Sequence, residues 1–390
     1  MNRFHQENNR YNTNSVKFDL VQVEKKPEGT IPMWVADMDF MVPQCVQDAV
    51  KKVAEHGIFG YSFPPKSYFE ALKNWFDTYF DVKIEDEWVV TTPGVVTAVG
   101  MAVRAFTEPG DAVLIQRPVY YPFTFMIERN HRRLINSPLI NENGRYRMDL
   151  EDFEKKIVEE NVKLYILCSP HNPIGRVWTK EELTEVAKIC KKHNVLVVSD
   201  EIHCDFVLDG RKHHNFFNIL PECKDFSIVC TAPSKTFNLA GMQTSNIIIP
   251  NEKMRKLFKD ECEAVSVGGV SPMGMAACEA AYRGGREWLD ALKNYLQENR
   301  DYMKAFLAEH FPKFIMSDLE GTYLTWVDMR SLGLTNEELK KYMAEECRLW
   351  LDDGDMFGVE GEGFMRFNIA CTKATLEKAM WQMKEAFDKL

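Results

Sequence analysis

A lysine and an aspartate, each placed directly after a short apolar run, are the residues best suited to chemistry. Lys235 follows Phe226-Ser-Ile-Val-Cys-Thr-Ala-Pro-Ser and precedes Thr236-Phe-Asn-Leu-Ala-Gly241. Asp200 lies thirty-five residues upstream, where Val195-Leu-Val-Val-Ser runs into Asp200-Glu-Ile-His203. Both runs read as buried strands, so both side chains are expected at strand ends. A lone lysine after a strand is usually a solvated charge with a pKa of about 10.4, a poor nucleophile at neutral pH. Desolvation lowers that value, and the free amine can then condense with an aldehyde and move protons. A carboxylate held nearby can keep a ring nitrogen protonated, so that the ring accepts electrons.

Other segments supply the remaining groups that such a ring would need. Gly94-Val95-Val96-Thr97 fits a strand-to-helix turn whose first amides point at an anion such as a phosphate; without a ligand it is an ordinary Pro-Gly turn. Tyr120, in Pro118-Val-Tyr-Tyr-Pro122, suits stacking on an aromatic ring, although an isolated aromatic more often belongs to a core. Asn172, between His171 and Pro173, could donate to a ring oxygen or simply form an Asn-Pro turn. Arg366, in strand-like Gly363-Phe-Met-Arg-Phe-Asn-Ile369, suits a carboxylate as a planar two-point clamp, though most arginines serve the surface. The cofactor that uses these groups together is pyridoxal 5′-phosphate, with Ser234 and His203 beside its two anchoring residues. His203, His213 and His214 lack a fourth ligand at metal-site spacing, so no metal is expected. The glycines and acids of 354–363 have no strand-turn-helix context for a dinucleotide fingerprint and read as a loop.

Positioning these residues requires a layered α/β scaffold. Between Trp88 and Pro250 the chain alternates helical patterns with Trp88-Val-Val-Thr, Asp111-Ala-Val-Leu-Ile, Lys163-Leu-Tyr-Ile-Leu-Cys, Val195-Leu-Val-Val, Ser227-Ile-Val-Cys and Asn246-Ile-Ile-Ile. That alternation predicts a mostly parallel central sheet flanked by helices. The polar segments follow strands, and open α/β sheets bind ligands at the carboxyl ends of their strands. Thr179 and Glu182 form a capping-box pattern, followed at helical spacing by Leu183, Val186, Ala187 and Cys190. Beyond Pro272 a long amphipathic helix near 275–310 leads to strand-like Thr322-Tyr-Leu-Thr-Trp-Val and Phe364-Met-Arg-Phe-Asn-Ile, with helices opening near Asn336 and Lys373. The expected division is an N-terminal arm with part of a small domain (1–47), a large cofactor-binding domain (48–285) and a smaller α+β domain (286–390).

The composition excludes several classes. A formal net charge of −10 argues against nucleic acid as a partner. No run of about 18 apolar residues suits a membrane span, and Met1-Asn-Arg-Phe-His-Gln-Glu lacks the apolar stretch of a signal peptide. The ten cysteines show no Cys-x-x-Cys pair, which favours reduced thiols and a cytoplasmic location.

The ordered set of motifs resembles the class I/II aminotransferase family of fold type I pyridoxal-phosphate enzymes, and within it the cystathionine β-lyase and cystalysin subgroup. The segments that carry the resemblance are Trp34-Val-Ala-Asp-Met-Asp-Phe40, Gly57-Ile-Phe-Gly-Tyr61, Pro170-His-Asn-Pro-Ile-Gly-Arg-Val-Trp178, Ser199-Asp-Glu-Ile-His203 and Ser234-Lys-Thr-Phe-Asn-Leu-Ala-Gly241. The resemblance implies Lys235 as the residue bonded to the cofactor and Asp200 as partner of its ring nitrogen. It puts Asn172 near the ring oxygen, Tyr120 on the ring, Tyr121 near the reacting substrate and Arg366 on its α-carboxylate. Tyr61 would reach the phosphate in a neighbouring subunit, making a homodimer with shared sites. Gln243 stands where many aminotransferases carry an arginine, and His203 where they often carry tyrosine, which points away from ordinary transamination. The implied activity is carbon–sulfur β-elimination on L-cystathionine or related cysteine conjugates, giving a thiol, pyruvate and ammonia. The alternatives are an aminotransferase and a cofactor-bound regulator of another protein.

Overall fold

Continuous β-branched runs cannot leave either face in water, and in the folded chain they become a sheet covered on both sides. The computed structural model describes residues 4–389. Its large sheet has seven strands: β1 (Val89–Thr92), β2 (Ala112–Ile115), β3 (Arg133–Asn136), β4 (Val162–Cys168), β5 (Leu196–Asp200), β6 (Ser227–Thr231) and β7 (Ser245–Ile248). Their spatial order is β1-β7-β6-β5-β4-β2-β3. All pairs are parallel except those of β7, which runs antiparallel to β1 and β6. The six expected runs are all strands. Edge strand β3 is the addition.

Alternate residues of these strands enter two separate cores, as a side-chain period of two requires. Val113, Ile115, Ile166, Val198, Ile228 and Ile247 pack on one face. Ala112, Leu114, Tyr165, Leu167, Val197, Val229 and Ile248 pack on the other. Fully burying each Val, Leu or Ile contributes about 1.5–3 kcal/mol. The helices that position the ligand-facing ends are α1 (Lys66–Phe80), α2 (Val95–Phe106) and α3 (Lys180–Lys192). Val95, Val99 and Val103 of α2 share the first core. At the start of α3 the expected capping box forms, and Leu183, Val186, Ala187 and Cys190 are buried.

The helix expected near 275–310 is two helices, α4 (Pro272–Gly284) and α5 (Arg286–His310). Gly285 separates them, because a Cβ there would collide with the Phe237 ring and the Ala281 carbonyl. Trp288, Leu289, Leu292, Tyr295, Leu296, Met303 and Phe306 are buried on α5, while Tyr302 is half-buried. A second, antiparallel sheet orders β8 (Ile315–Met316), β9 (Leu324–Asp328), β11 (Phe364–Asn368) and β10 (Asp352–Asp353). Helices α6 (Asn336–Glu345) and α7 (Lys373–Phe387) accompany it. The stretch expected as a loop at 354–363 contains two short 3₁₀ turns, Gly354–Phe357 and Val359–Gly361.

The N-terminal segment ties the two sheets together. Ile31–Pro32 pairs in parallel with Leu349–Trp350. Asn368 of β11 donates to the carbonyls of Val35 and Asp37, each at 2.6 Å. Asn238, three residues after Lys235, donates to Met38 and Phe40 carbonyls at 2.9 and 3.0 Å. No helix among the described residues is long and apolar enough to cross a membrane. All ten cysteines are free thiols, nine of them buried.

Candidate active site

The polar segments at the strand ends surround a cavity of about 310 Å³. It is lined by Lys235, Ser234, Asp200, His203, Asn172, Tyr120, Gly94, Val95 and Val96, together with Ala36, Thr97 and Gln243. Nine residues expected at a cofactor site thus meet around one space.

Lys235 rides on a one-turn helix, Pro233–Thr236, that starts just after β6 with proline at its first turn. The Nζ group donates to the Ala36 carbonyl at 2.7 Å. Burial, reinforced by nearby Arg366, pushes the ammonium down to about 8, while Asp37 and Asp200 pull the other way. Asp200 ends β5 and accepts the Ile202 amide at 3.1 Å. Its carboxyl is raised to about 7 by burial, which outweighs the opposing effects of the Ile202 amide and Lys235. A desolvated amine and a desolvated carboxyl, both brought toward neutrality, are poised for proton chemistry.

Gly94 has φ of +108°, a region that L side chains rarely adopt, and it precedes α2. No side chain caps this helix, so the Val95, Val96 and Thr97 amides lack a side-chain acceptor where they line the cavity. Such an uncapped start is an anion cradle. His203 is 3% exposed, and burial, then Lys235 and Arg366, hold its imidazole well below the usual range. The ring is therefore neutral, with Nδ1 lacking a partner. Burial likewise raises the Tyr120 phenol, keeping it protonated.

Arg366 reaches this space through Asn172, whose Oδ1 accepts from Nη1 at 3.0 Å. Its Nη2 donates to the Trp34 carbonyl at 2.8 Å and to Asp352. Nε is buried without a partner, and the guanidinium lies 5.0 Å from the Phe357 ring centre. Tyr121 is outside the cavity lining but adjoins it, its ring 5.5 Å from Tyr120 and 5.6 Å from Phe357. Tyr61 stands apart: it is fully exposed on the irregular stretch 57–65 and does not line the cavity of its own chain.

Three contributors were not singled out from residue types. The Ala36 carbonyl accepts from both Lys235 and the Tyr323 hydroxyl, the latter at 3.0 Å. A backbone oxygen leaves no mark in a sequence beyond the motif around it, here Trp34–Phe40. Asp352 sits on a two-residue strand, too short for any periodicity. Gln243, visible in the sequence only as a departure, lines the cavity beside Gly94 with φ of +50°.

These groups fit pyridoxal 5′-phosphate: an amine for its aldehyde, a buried carboxyl for its ring nitrogen, an uncapped helix start for its phosphate and an unpartnered guanidinium Nε for a substrate anion. The class I and II aminotransferase model matches residues 30–382. Cystathionine beta-lyase PatB of Bacillus subtilis is 42% identical over 383 residues, 98% of this chain and 99% of that one. Cystalysin of Treponema denticola, whose structure contains a pyridoxal 5′-phosphate cofactor, is 36% identical with a TM-score of 0.96 over 99% of this chain and 98% of its own. The cofactor-bound C-S lyase of Staphylococcus hominis is 34% identical, with a TM-score of 0.92 over 98% and 97%. With this architecture and these full-length matches, the chain belongs to the class I and II aminotransferase family of pyridoxal-phosphate enzymes.

Proposed function

We propose that this chain is a carbon–sulfur β-lyase that cleaves L-cystathionine or a related cysteine conjugate to a thiol, pyruvate and ammonia. The observation that carries this reading is the convergence of Lys235, Asp200 and Asn172 on one cavity, with Arg366 bonded to Asn172. Full-length similarity to a cystathionine β-lyase and two structures of carbon–sulfur lyases supports the choice of bond. When bound, pyridoxal 5′-phosphate supplies an aldehyde for the amine and a ring that takes up the electron pair released at Cα.

The chain's own residues do the rest. Arg366 holds the substrate's α-carboxylate and fixes the angle of its Cα–H bond, while Asn172, whose Oδ1 accepts from Arg366, would donate to the ring oxygen. Lys235, with an amine near neutrality, removes that proton and moves it. The Cβ–S bond then breaks with the thiolate leaving, and water releases the remaining carbons as pyruvate and the nitrogen as ammonia. With the cofactor bound, Asp200 would keep the ring nitrogen protonated, and Tyr120 would pack on the ring. Gly94, Val95, Val96 and Ser234 would hold the phosphate, while His203, kept neutral by burial, would add no charge beside the ring. Tyr121, beside Phe357, would lie close to the reacting substrate.

The active unit is a homodimer in which Tyr61 crosses to the neighbouring site, a reading supported by exposed Ile58, Phe59, Tyr61 and Phe63 on one short stretch. The protein works in the cytoplasm, consistent with ten free thiols, and divides into an arm (1–47), a large domain (48–285) and a small domain (286–390). The deciding experiment feeds cystathionine to the cofactor-loaded protein and measures two products. Pyruvate released without an amino acceptor supports the lyase. An oxo acid formed only when an acceptor is present would make the protein an aminotransferase.

A further inference from the structure

A second cavity, of about 550 Å³, lies between the end of α1, the loop 204–215 and the start of α5. It shares no lining residue with the Lys235 cavity. Five cations line it: Lys180, Arg211, Lys212, Arg286 and Lys293. Arg286 is paired with Asp290 at 2.8 Å, and Arg211 reaches Glu320 at 3.3 Å. Lys180, Lys212 and Lys293 have no carboxylate within ion-pair distance among the described residues.

Two carboxyl groups, Asp81 and Asp205, also line the space. Asp205 is committed inward, accepting from Trp75 Nε1 at 3.0 Å and Thr236 Oγ1 at 2.7 Å. Burial raises its carboxyl above the usual range and so reduces the charge it can set against the lysines. Lys293 is half-buried, and burial lowers its ammonium, a cost that a bound anion would relieve.

The inner wall offsets little of this positive charge. His213 and Asn215, 7% and 3% exposed, both donate to Glu201, at 2.7 and 2.6 Å. Each leaves its other polar atom, His213 Nδ1 and Asn215 Oδ1, buried without a partner. Both atoms are enclosed, so the inner wall adds no charge to the space, and the Glu201 carboxylate behind it is already occupied by these donors and by the Phe216 amide at 2.8 Å.

We infer that this cavity is a binding site for a small multivalent anion, separate from the cofactor and substrate site. Citrate is a suitable probe, having three carboxylates. Titrated by calorimetry into cofactor-loaded protein at low salt, it should bind saturably at one site per chain. Lys293→Gln should weaken binding at least about tenfold, the scale of one lost charge-assisted contact. Lys212→Gln, on an exposed side chain whose loss leaves packing intact, should weaken it several-fold. Arg366→Lys should leave citrate binding unchanged. No saturable binding, affinity unchanged from the parent in both lysine variants, or loss of binding in Arg366→Lys would overturn the site; the last would place citrate on the substrate clamp instead.

Discussion

Arg366 and Asp352 face one another across the antiparallel pair β10–β11 and form an ion pair whose side chains are each 3% exposed. Removing one partner of such a pair leaves a buried charge, which costs about 3–5 kcal/mol. Asp352→Ala should therefore lower stability by that amount in urea unfolding. KM for every amino-acid substrate should also rise, because the guanidinium loses the anchor that fixes its angle.

Arg366→Lys tests the clamp itself. Lysine keeps the charge but loses the planar fork. The expected result is a fall in kcat/KM of about 10- to 100-fold for all amino acids tried, with cofactor absorbance retained. A variant with unchanged kcat/KM would remove Arg366 from substrate binding.

Borohydride reduction of the loaded protein should fix the cofactor on one lysine, and peptide mapping should find it at Lys235. Label on another lysine would refute the assignment. Lys235→Ala should lose about 10,000-fold or more in turnover, since one amine both anchors the cofactor and moves protons.

Asp200 makes a pH prediction for the cofactor-free protein. Its folded value of about 7 stands above the ordinary carboxylate value, so the folded state holds this proton more tightly than the unfolded chain. The resulting stability is fully present below about pH 4 and is lost as pH rises through 7. Asp200→Asn has no such proton. Its stability relative to the parent should thus improve by a few kcal/mol between pH 4 and 8 in denaturant titrations. With cofactor bound, the same variant should lose about 100-fold or more in kcat while keeping the cofactor.

Tyr61 tests the shared site. Tyr61→Phe should weaken cofactor retention although the residue lies outside its own chain's cavity. Mixed with Lys235→Ala under verified subunit exchange, it should recover activity, because some dimers then hold Lys235 from one chain and Tyr61 from the other. No recovery would mean that each site is self-contained.

The large sheet was readable from the sequence because its central strands are buried on both faces and so appear as unbroken apolar runs. Strand β3 escaped, since Arg133-Leu-Ile-Asn136 is an edge strand with an exposed arginine and only two apolar residues. The antiparallel course of β7 was equally hidden, because a buried strand has the same composition in either direction. Lys235, Asp200 and Gly94 were legible because strand ends collect ligands. Asp352 and the Ala36 carbonyl were not, one lying on a two-residue strand and the other having no side chain to betray it.

The bond from Lys235 to Ala36 also makes the amine depend on the second sheet. Asn368 of β11 grips the carbonyls of Val35 and Asp37 on either side of Ala36, and Asn238 grips those of Met38 and Phe40 just beyond. A shift of β11 would therefore carry the lysine's acceptor with it, so the second sheet governs the hydrogen bonding of an amine that it does not touch.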